Sequence, residues 1–130
     1  MIYHIRTIKN QDFYDITSIV KKAVTETGIK DGIVMVFVPH TTAGVTINED
    51  ADPDVITDII SGLNQTYPVK GQYLHMEGNS HAHLKATLTG SSCTVIIENG
   101  SLMLGTWQGI YFCEFDGPRS RSIFVKIIKG

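Results

Sequence analysis

The spacing of apolar side chains changes along the chain, and each change predicts a new element. Apolar and polar residues alternate over Ile2–Ile8, which predicts a first strand. From Asp15 onward apolar residues recur at helical spacing, so we expect an amphipathic helix that Asp15 caps and Gly28 ends. Residues 33–38 are apolar at every position, as in a strand covered on both faces, and residues 44–48 alternate again.

The second half of the chain shows the same change from helical to strand spacing. Asp52-Pro53-Asp54 is typical of a helix start, and apolar residues follow at helical spacing up to Leu63. A short helix is predicted over Ser80–Thr89, with Asn79 or Ser80 as its cap. Three strands are predicted after it, over Cys93–Glu98, Thr106–Phe115 and Ser122–Ile128. These elements predict a single α+β domain over residues 1–130, a largely antiparallel sheet or sandwich with about three helices packed outside.

Composition excludes several classes of function. The net charge is −2 and the lysines and arginines are dispersed, so we expect no nucleic-acid partner. No apolar run reaches the roughly 18 residues that cross a bilayer, and the N-terminus lacks a signal-peptide pattern, which favours a cytoplasmic protein without a membrane partner. Cys93 and Cys113 match neither a zinc-finger spacing nor a disulfide framework, so they are interpreted as buried reduced thiols.

Four of the five histidines lie between residues 40 and 83, which indicates a metal or acid–base site because imidazole binds metals and titrates near neutrality. On a helix, residues two apart point about 200° away from each other, so His81 and His83 cannot both face one ion. On a strand they could. The helical interpretation predicts a metal set of His40, His75 and His83, because His81 shares a helix face with the cation Lys85. Three imidazoles with one open position are typical of catalytic zinc centres.

Other polar residues are candidates for the same site. Glu49 ends the strand that follows the His40 loop and is predicted to reach the cavity as a base, a ligand or a partner of a histidine. An ordinary acid at a strand end is the alternative. Arg119 and Arg121 are two apart at a strand start, so they are expected to fork around one anion. Gln108, beside the only tryptophan, is a candidate for substrate binding.

Several motifs, taken in order, resemble the YjbQ-like family, whose members are described as secondary thiamine-phosphate synthase enzymes. The motifs are Pro39-His40-Thr41-Thr42-Ala43-Gly44, Asn48-Glu49-Asp50-Ala51-Asp52-Pro53, His75, Ala82-His83-Leu84-Lys85, Gly105-Thr106-Trp107-Gln108-Gly109 and Asp116-Gly117-Pro118-Arg119-Ser120-Arg121. They cover almost the whole chain. The resemblance implies an α+β sandwich, a homotrimer, and a site built around the three histidines with Glu49 nearby.

The implied activity joins a hydroxymethylpyrimidine diphosphate to a thiazole phosphate and expels pyrophosphate. Arg119, Arg121 and Lys85 would then hold the phosphates of a phosphorylated small molecule. Pyrophosphate sites usually bind Mg²⁺ through carboxylates, whereas three imidazoles favour zinc. A zinc-dependent hydrolase therefore fits the sequence as well as the synthase does, and a trimeric metal-binding protein without turnover is a further alternative.

Overall fold

The computed structural model describes residues 1–130 as eight strands and three helices, which confirms the predicted α+β class. The strands are β1 (Ile2–Arg6), β2 (Asp12–Asp15), β3 (Gly32–Phe37), β4 (Ala43–Glu49), β5 (Ser92–Glu98), β6 (Ser101–Leu102), β7 (Gln108–Glu114) and β8 (Ser120–Lys129). The helices are α1 (Thr17–Thr27), α2 (Pro53–Thr66) and α3 (Ser80–Thr89). None of the helices has the length and apolar character needed to cross a membrane.

The strands form two antiparallel sheets that pack face to face. One has the order β1-β8-β3-β5-β6 and the other the order β2-β7-β4. The main core contains side chains from both sheets and from α1, such as Val20, Val36 and Phe112. The opposite face of β7, including Tyr111 and Cys113, belongs to a smaller core that α2 and α3 cover. The central strand of the smaller sheet is therefore buried on both faces.

The outer face of the five-stranded sheet is open, which corrects one expectation from the sequence. The strand over residues 33–38 was expected to be covered on both faces. Val34 and Val36 are fully buried, but Met35 and Phe37 on the other face are 37% and 40% exposed, because no helix packs there. Neighbouring strands add the exposed side chains Ile2, Ile96, Phe124 and Ile128.

The helix ends follow local sequence signals, with one exception. Asp52 caps α2 by accepting a hydrogen bond from the backbone N–H of Asp54 at 2.9 Å. Gly28 ends α1 with a φ of 72°, in the left-handed region that glycine adopts without strain. Asp15 is not the cap residue of α1. It is the last residue of β2, and its carboxylate accepts hydrogen bonds from the backbone N–H and the hydroxyl of Thr17.

Candidate functional site

A cleft of about 420 Å³ opens at the end of the smaller sheet where β4 begins and β7 ends. Its walls are the loop before β4, the segment that leads into α3, α3 itself, the turn after β7 and β8. No hydrophobic residue lines it. Of the residues predicted for the site, His40, His75, His83, Arg119 and Arg121 line this histidine cleft.

The rings of His75 and His83 lie side by side in the histidine cleft. His83 lies in the first half of α3, and His75 lies in the segment before it. Their ring centroids are 5.3 Å apart with an edge-to-face angle of 84°. Nε2 of His75 lies 3.8 Å from Oε1 of Glu77, which also lines the cleft. Two imidazoles and one carboxylate are thus within reach of a bound ligand.

His40 differs from the other two histidines because one of its nitrogens is already occupied. Its Nε2 accepts a hydrogen bond from the backbone N–H of Ser122 at 2.9 Å. In the neutral ring the proton is then on Nδ1, so His40 presents a donor and no free lone pair. Burial and the Arg121 guanidinium lower the pKa of His40, which favours this neutral form. The predicted convergence of three histidines is therefore not preformed, and no three metal-binding side chains meet at one point.

Arg121 lines the cleft and forms an ion pair with Glu114, which is fully buried behind the cleft wall. Nε of Arg121 donates to Oε1 of Glu114 at 2.9 Å, while Nη2 donates to Oε2 and also to the hydroxyl of Thr42. Glu114 also accepts a hydrogen bond from the hydroxyl of Thr7 at 2.7 Å. Burial alone would raise the pKa of Glu114, but the hydrogen bonds from Arg121 and Thr7 hold it below its usual value. Most of the Arg121 guanidinium is thus bound within the chain.

Arg119 is at the open side of the cleft and is half exposed. Its Nη2 donates to Oδ2 of Asp116 at 2.9 Å, and its Nε donates to the Asp116 carbonyl at 2.8 Å. Nδ2 of Asn79 donates to the same carboxylate oxygen at 2.9 Å. Arg119 and Arg121 were expected to bind one anion together, but only Arg119 is exposed enough to do so.

Glu49 and Gln108 are not in the histidine cleft, which corrects both predictions. They pair with each other at the far end of β4 and β7, whereas Ala43 and Glu114 pair at the cleft end. At roughly 3.3 Å per residue, the two ends of β4 are about 20 Å apart. Glu49 accepts a hydrogen bond from the backbone N–H of Asp52, and Gln108 accepts one from Gly105. A strand carries its last residue away from the loop that precedes it, so Glu49 cannot share a cavity with His40.

Lys85 is also absent from the cleft, because it is completely buried on the inner side of α3. Its Nζ donates to Oδ1 of Asn64 at 2.5 Å and to Oε1 of Gln11 at 3.2 Å, and it lies 2.8 Å from Nδ1 of His81. Burial lowers the pKa of Lys85 to about 8. Lys85 thus connects α3 to α2 and to the segment before β2, and does not hold a phosphate. His81, on the same helix face, is buried with it, whereas His83 lines the cleft.

Four residues that shape the site were given no catalytic, metal-binding or substrate-binding role from the sequence: Glu77, Asn79, Glu114 and Asp116. Glu114 had a detectable signal, because it is the only charged residue in the run Ile110–Phe115, and a buried charge requires a partner. Asn79 was interpreted only as a helix cap. Glu77 had no pattern to distinguish it from a solvated acid.

Comparison with known proteins gives a consistent result over the whole chain. The family model described as UPF0047 protein YjbQ-like matches residues 1–130. A UPF0047 protein of Methanocaldococcus jannaschii is 53% identical over 126 residues, which cover 97% of this chain and 91% of that protein. The UPF0047 protein YugU of Bacillus subtilis is 51% identical over 125 residues, which cover 95% of each chain.

Solved structures agree with these sequence relationships. An uncharacterized conserved protein of the YjbQ/UPF0047 family from Clostridium acetobutylicum has a TM-score of 0.97 and 62% identity, covering 98% of this chain and 99% of that one. A YbjQ-like protein of unknown function from Sulfolobus solfataricus has a TM-score of 0.96 and 34% identity, covering 100% and 96% of the two chains. The chain therefore belongs to the YjbQ-like (UPF0047) family.

Proposed function

We propose that the histidine cleft binds a phosphorylated small molecule together with a divalent metal ion, and that the protein is an enzyme acting on that molecule. One observation carries the proposal: the imidazoles of His75 and His83, 5.3 Å apart, share a cleft with the exposed guanidinium of Arg119. Imidazole favours zinc over Mg²⁺, and guanidinium matches the geometry of phosphate.

The side chains of the cleft provide some of the ligands of a zinc site without any rearrangement. His75 and His83 are free to act as ligands, with Glu77 beside them. His40 becomes a third ligand if its ring turns away from Ser122, which costs about 1–3 kcal/mol for the unpaired N–H. When bound, the metal supplies positive charge that polarises a phosphate or acidifies a water molecule.

The chain's own side chains have separate roles in this proposal. Arg119 binds the anionic end of the substrate, since its guanidinium is half exposed at the side of the cleft. Glu77 accepts a proton from the attacking water molecule, because it is the carboxylate next to His75. The sequence had suggested this role for Glu49. Arg121 is a positioning residue that fixes the His40 loop through Thr42.

The set of carboxylates favours one reaction type over the other. The family resemblance implies thiamine-phosphate synthesis, which would require a site for pyrophosphate, usually Mg²⁺ bound by several carboxylates. Glu77 and Asp116 are the only carboxylates that line the cleft, and the Asp116 carboxylate already accepts hydrogen bonds from Arg119 and Asn79. This arrangement supports hydrolysis of a phosphorylated small molecule better than displacement of pyrophosphate. A metal-binding protein without turnover is the alternative.

Titration of inorganic phosphate into the zinc-loaded protein tests the proposal. We expect the Arg119→Ala variant to bind phosphate about tenfold more weakly, because one charge-assisted hydrogen-bonding group is lost. The Lys22→Ala variant is the control, since Lys22 is an exposed cation on α1 and does not line the cleft. Equal weakening of phosphate binding in both variants would mean that the loss of one positive charge explains the effect, and that Arg119 makes no specific contact. Binding without turnover of p-nitrophenyl phosphate would favour the non-catalytic alternative.

The homotrimer implied by the resemblance belongs to the same proposal. Met35 and Phe37 on β3, with the exposed residues beside them, leave an apolar sheet face that a closed symmetric oligomer would cover. We expect a trimer mass from light scattering at low micromolar concentration, and a smaller mass for Met35→Glu. A monomer mass for the natural sequence would contradict this.

A cytoplasmic location fits the free thiols, since burial raises the pKa of Cys93 to about 11 and keeps it unreactive.

A further inference from the structure

Asn79 occupies the cap position of α3 without capping the helix. An asparagine there normally accepts a hydrogen bond from a backbone N–H two or three residues later, which contributes about 1 kcal/mol. The Asn79 side chain makes no such bond. Its amide is directed to Asp116 instead, where Nδ2 donates to Oδ2 at 2.9 Å.

The other end of this amide, Oδ1 of Asn79, has no hydrogen-bond partner, although Asn79 is only 9% exposed. It is the one buried side-chain polar atom of the structure in this condition. Exchanging the oxygen and nitrogen would place Oδ1 against the Asp116 carboxylate, so the hydrogen bond fixes the orientation. Asn79 thus lacks both a helix-cap bond and a partner for a buried acceptor. Such local costs are typical of residues that serve a ligand.

We infer that Oδ1 of Asn79 accepts a hydrogen bond from an N–H group of the ligand, so that the histidine cleft selects a phosphorylated molecule carrying an amino group. This inference rests on the proposed function, in which Arg119 binds the phosphate. Oδ1 can only accept, so a second phosphate or carboxylate would not satisfy it. The neighbouring Asp116 carboxylate favours a positively charged amine over a neutral hydroxyl.

The distance between the two groups fits a short ligand. Arg119 and Asn79 both bond to Oδ2 of Asp116, each at 2.9 Å. The donor nitrogens of the two residues therefore lie within about 6 Å of each other, since each hydrogen bond spans about 3 Å. A phosphate separated from an amine by two carbons can reach both residues.

Two related probes test the inference: phosphoethanolamine and phosphocholine. Both carry a phosphate and a positively charged nitrogen. The nitrogen of phosphoethanolamine is a primary ammonium with N–H donors, whereas that of phosphocholine is quaternary and has none. In calorimetric titrations of the zinc-loaded protein, we expect phosphoethanolamine to bind about tenfold more tightly. The Asn79→Ser variant should lose this preference and still fold, because serine is a good helix cap. Asn48→Ala, at the far end of β4, is the control and should retain it.

The outcomes separate the inference from the proposed function. If the natural sequence binds both probes equally, the inference is wrong and phosphate binding stands. If neither probe nor inorganic phosphate binds, the proposed function fails as well. A preference that persists in Asn79→Ser would also overturn the inference, because the selecting group would lie elsewhere. Tighter phosphocholine binding in that variant would show selection by size, which contradicts a role for Oδ1.

Discussion

Two arginines that line the cleft, Arg119 and Arg121, each pair with a carboxylate, and the two pairs differ in what surrounds them. The side chains of Arg121 and Glu114 are 6% and 0% exposed, whereas those of Arg119 and Asp116 are 50% and 17% exposed. The buried pair is held by further hydrogen bonds from Thr7 and to Thr42. Burial and complete hydrogen bonding make the inner pair part of the fold, and exposure leaves the outer pair available to a ligand.

The largest effect that separates the two pairs should be on stability. Glu114→Gln leaves the buried Arg121 charge without its partner, so we expect the free energy of unfolding to fall by about 3–5 kcal/mol in urea titrations. Asp116→Asn is the matched change in the outer pair and should cost about 0–1 kcal/mol, because exposed ion pairs contribute little. Equal losses would contradict the distinction.

A smaller effect should appear in the dependence of stability on pH. The folded pKa of His40 is lowered from 6.5, so below that pH the unfolded chain binds more protons than the folded one and stability falls. The folded pKa of Glu114 is also lowered, so a second loss should begin below its ordinary value of 4.5. Urea midpoints between about pH 3 and 7.5 would show both losses.

Replacement of His40 by glutamine isolates the first of these losses. The His40→Gln variant should show a shallower fall below pH 6.5, and His81, whose pKa is lowered by burial and by Lys85, accounts for the remainder. The loss below pH 4.5 should be unchanged, because Glu114 is intact. An unaltered slope near pH 6 in the variant would rule out His40 as its source.

The smallest effect is expected at the far end of β4. Glu49→Gln should leave zinc and phosphate affinity within about twofold of the natural sequence, since strand geometry places this residue about 20 Å from the cleft. Calorimetric titration of both ligands measures this directly. A tenfold loss of either affinity would mean that Glu49 acts on the cleft. The separation of about 20 Å within one chain could not explain such an effect.

Patterns local in sequence predicted the elements well. The helix over Ser80–Thr89 was predicted with the bounds that α3 has, because its spacing and the following Gly90 act within a few residues. The four-residue strand β2 was missed because its last residue, Asp15, looks like a helix cap. β6, with two residues, is too short to show a period.

Residue types identified half of the site, and long-range contacts decided the rest. His75, His83 and Arg119 were found because imidazole and guanidinium suggest metal and phosphate chemistry. The burial of Lys85 depends on Asn64 and Gln11, which lie 21 and 74 residues away and have no pattern that indicates the contact. Arg121 was misjudged for the same reason, because its partner Glu114 is on a different strand.

Zinc titration into the natural sequence and two histidine variants tests most directly whether the histidine cleft binds metal. His83→Gln removes one of the two free imidazoles, and His4→Gln changes an exposed histidine on β1 that does not line the cleft. We predict that the natural sequence and His4→Gln bind zinc with the same affinity, and that His83→Gln binds it at least about a hundredfold more weakly. Equal zinc affinity in all three proteins would contradict the assignment of a metal to this cleft.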